Sequence, residues 1–162
     1  MEKYPTRVCL SLGSNINPET NIPKAVEILR QYVTVLSISS AWESEPVITE
    51  GPDFINVAVL ISTTLSQEEL VQEVLRSVEI ELGRTRTGDK FASRTIDLDV
   101  LVWGDQIIES ELWDCVYLAV PVSELLPDLR IQKDGEPLMT AAHRLSQSNK
   151  IIPRKDIFNP RS

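Results

Sequence analysis

Arg94-Thr95-Ile96-Asp97-Leu98-Asp99-Val100-Leu101 reads as a buried β-strand that carries two carboxylates. Successive strand side chains point to opposite faces, so Asp97 and Asp99 share a face, roughly 7 Å apart along the backbone. Two bare carboxylates this close repel each other, and partial burial raises the cost. A bound divalent cation relieves the repulsion, and hard oxygen ligands favour Mg²⁺ over zinc. An isolated Asp-Xaa-Asp also has a plainer reading, in which one Asp closes the preceding loop and the other faces water. The residues upstream bear on the choice. Arg84, Arg86, Lys90 and Arg94 are opposed only by Asp89 in the segment leading into the pair. A basic loop beside two carboxylates suits a small polyanion held with a metal; the alternative is a solvated charged loop.

Before that loop, Ser66-Gln67-Glu68-Glu69 is a capping box and the clearest helix start in the chain. The helix buries Leu70, Val71, Val74, Leu75, Val78 and Leu82, and Gly83 is placed to end it. Further upstream, Phe54 to Thr64 reads as a strand with Val57, Val59 and Ile61 opposite Asn56, Ala58 and Leu60. A turn-rich, charged loop from Glu43 to Asp53 precedes it. Val33 through Trp42 alternates as another strand, with Leu36, Ile38 and Trp42 on one side. The first strand is Val8-Cys9-Leu10-Ser11-Leu12, ended by the turn signal Gly13-Ser14-Asn15. A helix starting near Thr20 or Asn21 follows, with Pro23 in its first turn and Ile22, Ala25, Val26 and Leu29 on its apolar face.

The order is βαββαβ, an α+β, ferredoxin-like antiparallel sheet with helices on one face. After the carboxylate strand, which ends near Trp103, Gly104-Asp105 makes a turn. Two added C-terminal helices are expected, at Val120 to Pro127 and at Pro137 to Leu145. The expectation is one domain over 1–162, with its core at about 7–145 and residues 149–162 loosely held.

Composition narrows the function classes. The chain of 162 residues is 42% apolar and 25% charged, ordinary for a globular domain. A net charge of −8 argues against a nucleic-acid partner. No apolar run approaches a membrane span, and residues 1–7 lack the apolar core of a signal peptide. Cys9 and Cys115 read as free thiols, and a cytoplasmic location is expected.

Three motifs give the chain a resemblance to the 6-hydroxymethyl-7,8-dihydropterin pyrophosphokinase family of folate biosynthesis. They are Leu10-Ser11-Leu12-Gly13-Ser14-Asn15, Phe54-Ile55-Asn56-Val57-Ala58-Val59, and Gly83-Arg84 followed by Lys90-Phe91-Ala92-Ser93-Arg94-Thr95-Ile96-Asp97-Leu98-Asp99. The likeness runs from about Arg7 to Leu145. It implies a transferase that moves diphosphate from ATP to the hydroxymethyl group of a reduced pterin, releasing AMP. By that resemblance Asp97 and Asp99 bridge two Mg²⁺ ions on the ATP phosphates. Arg84 and Arg94 are catalytic and contact the phosphates or steady the catalytic loop between them, while Glu79, Arg86 and Phe91 complete the ATP side. Phe91 stands where the family often has Trp. On the pterin side, Asn56 bonds the ring edge, Phe54 and Tyr117 sandwich the ring, and Ser44, Pro46 and Val47 form the wall. The partners implied are ATP and a reduced pterin, with no nucleic acid, membrane or obligate protein partner.

The chain departs from the family pattern at one place. Relatives usually carry a Pro-His pair and then an Arg before the second stacking aromatic. Here Glu109-Ser110-Glu111-Leu112-Trp113-Asp114 runs directly into Cys115-Val116-Tyr117, with Cys115 at the Arg position. The only histidine, His143, falls in the last helix and reads as structural or surface. Each charge-assisted bond lost beside a triphosphate is worth roughly 1.5–3 kcal/mol. Two such losses slow transfer by a factor on the order of 10²–10⁴. Two alternatives therefore stand beside the pyrophosphokinase: a weak or inactive pterin- or nucleotide-binding protein on the same fold, and a metal-dependent nucleotidyl transferase with another acceptor.

Overall fold

A computed structural model of the chain describes residues 3–46, 51–83 and 96–158. Strand β1 (Thr6–Ser14) lies at the centre of an antiparallel sheet, between β4 (Phe54–Thr63) and β5 (Asp97–Trp103). β6 (Gln106–Ile107) extends the β5 edge after the Gly104 turn, whose φ of 59° suits a glycine. On the other side, β4 pairs with β2 (Thr34–Ile38) and β3 (Trp42–Ser44), and β3 pairs with β7 (Ile151–Pro153). The expected βαββαβ order is present.

The second strand of that order is divided. Backbone pairing stops at Ser39, whose hydroxyl accepts from the Ala58 amide at 2.8 Å while its own amide donates to the Ala58 carbonyl at 2.9 Å. A register shift between Val35 and Ser37 turns the chain further. Ile38 therefore packs on one face of the sheet and Trp42 on the other, not together, and Leu36 is exposed.

Helix α1 (Pro18–Tyr32) starts earlier than Thr20. Asn17 takes a left-handed conformation, φ 43°, which Asn tolerates, and Pro18 occupies the first helical position. Pro23 consequently lies inside the helix rather than in its first turn. Ile22, Ala25, Val26 and Leu29 are buried as their spacing predicts. The second helical run opens with the capping box at Ser66, as α2 (Gln67–Glu69). It passes through a π-helical stretch, Leu70–Leu75, into α3 (Arg76–Glu81), and Gly83 ends it at φ 81°.

α1 and the α2–α3 run cover one face of the sheet, closing a core around Leu10, Leu12, Val57, Val59, Ile61, Val74 and Val78. The opposite face is also apolar, through Cys9, Ala58 and Leu60. α4 (Val116–Leu125) and α5 (Leu138–Ser146) cover it, so the C-terminal helices build a second core layer. α4 begins at Val116 rather than Val120, which puts Tyr117 on its first turn.

Residues 151–158 are not loosely held. β7 pairs with β3, Arg154 donates to Glu43 at 2.6 Å and to Asp156 at 2.8 Å, and Ile157 is buried in the first core. A short segment with few apolar residues is held here by long-range pairing and charge, which local composition does not register. Arg154 holds the Asp156 carboxyl below the usual aspartate range. That stabilisation is present above the ordinary aspartate pKa and is lost as the pH falls through the lowered one. Replacing Arg154 with Ala is expected to cost about 1 kcal/mol, the scale of a partly exposed ion pair. The checks are urea denaturation and amide exchange at Ser44; an unchanged midpoint would refute a holding role for this segment.

Candidate functional site

Strand alternation and register bring the expected pterin-side and metal-side residues to one face. Across the sheet, Trp42, Asn56, Gly13 and Asp97 are cross-strand partners on β3, β4, β1 and β5. In the adjacent rows Phe54 pairs with Ser44, and Asp99 sits opposite Ser11, which is opposite Ala58. All of these side chains emerge on the face covered by α4 and α5. Asn56 and Asp97 are two strand spacings apart, about 10 Å between backbones.

Gly13 explains how this face stays open. A Cβ built there would lie 3.3 Å from Asn56 Oδ1 and 3.8 Å from Phe54. The missing side chain leaves a bare floor between the amide and the carboxylate. In the sequence Gly13 reads as a turn signal within a family motif; its role as a floor depends on the register between three strands. Gly13→Ala is expected to displace Asn56 and to weaken pterin binding by about tenfold, on the scale of one lost hydrogen bond. Pterin titration of the variant is the check, with equal affinity arguing against this floor.

Asn56 is 8% exposed and its amide Nδ2 donates to Ser44 Oγ at 2.7 Å, with Ser44 itself buried. The bond fixes the amide plane and leaves its carbonyl directed toward the Gly13 side. Phe54, like Asn56, lies against Gly13 and is half-buried, as is Pro46. Asp97 is half-buried and Asp99 exposed. Among the described residues no group of three or more His, Cys, Asp or Glu side chains forms a metal centre. Two carboxylates on one face instead suit a hard cation that takes its other ligands from phosphate oxygens and water.

Tyr117 stands on α4, which packs over this face. Burial, and then a hydrogen bond with Cys115, push its phenol pKa up, so the hydroxyl stays protonated. Burial also raises the Cys115 thiol; the bond to Tyr117 lowers it, and Glu111, Asp114 and Glu109 raise it. Cys115 thus remains a neutral thiol at neutral pH and brings no positive charge to this position. Glu124 on α4 accepts from the Trp42 indole at 3.2 Å and the Ser40 amide at 2.9 Å. This tie, which the sequence did not announce, fixes α4 against β3.

Glu79 comes from another layer, on α3, and is 3% exposed. His143 is exposed on α5. Val47, Arg84, Arg86, Phe91 and Arg94 lie outside the described residues. The shortened stretch is closed and well anchored. A 3₁₀ turn, Ser110–Trp113, buries Trp113, whose indole donates to the Glu136 carbonyl at 2.9 Å.

The family model of 7,8-dihydro-6-hydroxymethylpterin-pyrophosphokinase matches residues 9–127. The 2-amino-4-hydroxy-6-hydroxymethyldihydropteridine pyrophosphokinase of Bacillus subtilis is 38% identical over 128 residues, covering 72% of this chain and 75% of that protein. A folate synthesis bifunctional protein of Arabidopsis thaliana is 32% identical over 150 residues, covering 86% of this chain and 30% of that longer protein. The crystal structure of wild-type Plasmodium falciparum HPPK-DHPS superposes with a TM-score of 0.72 at 10% identity, over 90% of this chain and 42% of that one, a likeness of fold. With the sequence match spanning both core layers and the row from Asn56 to Asp97, the chain belongs to the 7,8-dihydro-6-hydroxymethylpterin-pyrophosphokinase family.

Proposed function

We propose that the chain transfers diphosphate from ATP to 6-hydroxymethyl-7,8-dihydropterin, forming AMP and the pterin diphosphate, a step of folate biosynthesis. The observation that carries this reading is the shared face of Asn56, Gly13, Asp97 and Asp99 in a member of this family. In the reaction the hydroxymethyl oxygen bonds to the β-phosphorus of ATP, and the bond from that phosphorus to the bridging α–β oxygen breaks as AMP leaves. Little covalent chemistry falls to the protein; positioning and charge do the work.

Asn56, its amide plane held by Ser44, hydrogen-bonds the edge of the pterin over the bare Gly13 floor. Phe54 and Tyr117 stack on the ring, and Pro46 and Val47 close the wall. Asp97 and Asp99 would hold Mg²⁺, two ions with ATP bound, which would neutralise charge developing on the phosphates. About 10 Å separates the Asn56 and Asp97 backbones, room for the ring on one side and the phosphates on the other. Arg84, Arg86 and Arg94 supply cationic contacts to the triphosphate, with Glu79 and Phe91 on the nucleotide side. Among the described residues no helix is long and apolar enough to cross a membrane, and the proposed partners are these two small substrates. The test is AMP release from Mg·ATP in the presence and absence of the hydroxymethyl-dihydropterin, with AMP formed only when the pterin is added.

A further inference from the structure

A second cleft, of about 610 Å³, opens where the end of α1, the break between β2 and β3, and the C-terminal segment meet. Its lining shares no residue with the face that carries Asn56, Asp97 and Asp99. Ile38 and Pro153 give it apolar wall, and Phe158 lines it while remaining 41% exposed. Three cations, Arg30, Arg154 and Lys155, also line it, on a chain whose net charge is −8.

The three cations are not equivalent. Arg154 is committed to Glu43 and Asp156, with Glu19 at 3.6 Å. Arg30 and Lys155 are exposed, and neither has a side-chain hydrogen bond or ion pair among the described residues. Glu43, Asp156 and Glu19 balance Arg154, so Arg30 and Lys155 are the cations of the cleft that a bound anion would meet. A dianionic phosphate suits an Arg and a Lys approaching from different elements. An exposed Phe beside apolar wall favours a flat ring over a bare ion. The volume is that of a small-molecule site.

We propose that this cleft is a second ligand site, which takes a phosphate ester of a flat heteroaromatic compound. The phosphate lies between Arg30 and Lys155, and the ring rests against Phe158. Nucleoside phosphates and phosphorylated pterins share this chemistry. The assignment stands whether or not the proposed diphosphate transfer is correct, because it rests on different residues.

The experiment titrates AMP, hydroxymethylpterin diphosphate and inorganic phosphate separately into the full chain, reading NMR resonances of Arg30, Lys155 and Phe158. A ring-bearing phosphate is expected to shift these resonances saturably, and whichever of the two binds more tightly identifies the source. The double variant R30E/K155E is expected to lose about tenfold or more in affinity, the scale of a charge-assisted bond. Phe158→Ala is expected to weaken binding of the ring-bearing ligand and leave that of inorganic phosphate unchanged. Circular dichroism checks folding; should R30E/K155E unfold, R30Q/K155Q takes its place with the same expected direction. Absence of shifts at these residues would overturn the assignment. Affinity indifferent to the charge change, or inorganic phosphate binding as tightly as AMP and the pterin diphosphate, would overturn it too.

Discussion

Asp97→Ala and Asp99→Ala are each expected to abolish Mg²⁺-dependent nucleotide binding and to lower turnover by a factor of about 10³ or more. That loss corresponds to roughly 4 kcal/mol of transition-state stabilisation. Both carboxylates leave β5 on one face, opposite Gly13 and Ser11, where neither facing residue carries a bulky side chain. The strand itself is held through Leu98 and Leu101, buried in the two cores, so the backbone keeps its register without the carboxylates. Far-UV circular dichroism should therefore be unchanged while Mg·ATP titration goes flat. Wild-type ATP affinity in either variant would sink the metal assignment.

The second large effect concerns the aromatic pair. Phe54→Ala and Tyr117→Ala are each expected to weaken pterin binding by roughly 1–3 kcal/mol, from lost stacking and burial. Phe54 rises from β4 next to Asn56, and Tyr117 comes from the first turn of the helix covering that face. Tyr117→Phe is the informative companion. The hydroxyl it removes is engaged with Cys115, so the ring remains and affinity should stay near wild type. Quenching of pterin fluorescence measures all three. If Tyr117→Ala bound as tightly as wild type, α4 would not carry the second stacking face.

The faces of the sheet were legible because period-two alternation survives in any strand with two apolar sides. Val57, Val59 and Ile61 separated from Asn56, Ala58 and Leu60 as their spacing predicts, and Asp97 and Asp99 followed the same rule. What depends on register was not legible. The Gly13 floor exists only because β1 sets that residue between Asn56 and Asp97. The break at Ser39 rests on a side-chain hydroxyl standing in for a backbone carbonyl, which no hydropathy pattern reports. β7 is three residues long and pairs with a strand more than a hundred positions away, so nothing local marks it. The π-helical stretch within the second helical run has no sequence signal that we can identify.

The shortened stretch before α4 bears most directly on rate. Three arginines outside the basic loop, Arg130, Arg144 and Arg154, are each already held by other groups. Arg144 is tied to Glu136 at 2.9 Å and to the Trp113 carbonyl at 3.2 Å. Arg154 is bound by Glu43 and Asp156, and Arg130 donates to the Gly135 carbonyl. Cys115 contributes a neutral thiol. On the proposed reading, charge neutralisation at the triphosphate would then fall to Arg84, Arg86 and Arg94 with the metal, and turnover should be slow rather than absent.

Coupled measurement of AMP and pterin diphosphate formation from Mg·ATP and 6-hydroxymethyl-7,8-dihydropterin decides whether the chain is a slow pyrophosphokinase. The two products are expected in equal amounts, slowly, only with both substrates and Mg²⁺ present, and about 10³-fold or more slowly still from Asp97→Ala. Tight pterin binding with no AMP above the Asp97→Ala background would contradict that activity and leave a binding protein on the enzyme's fold.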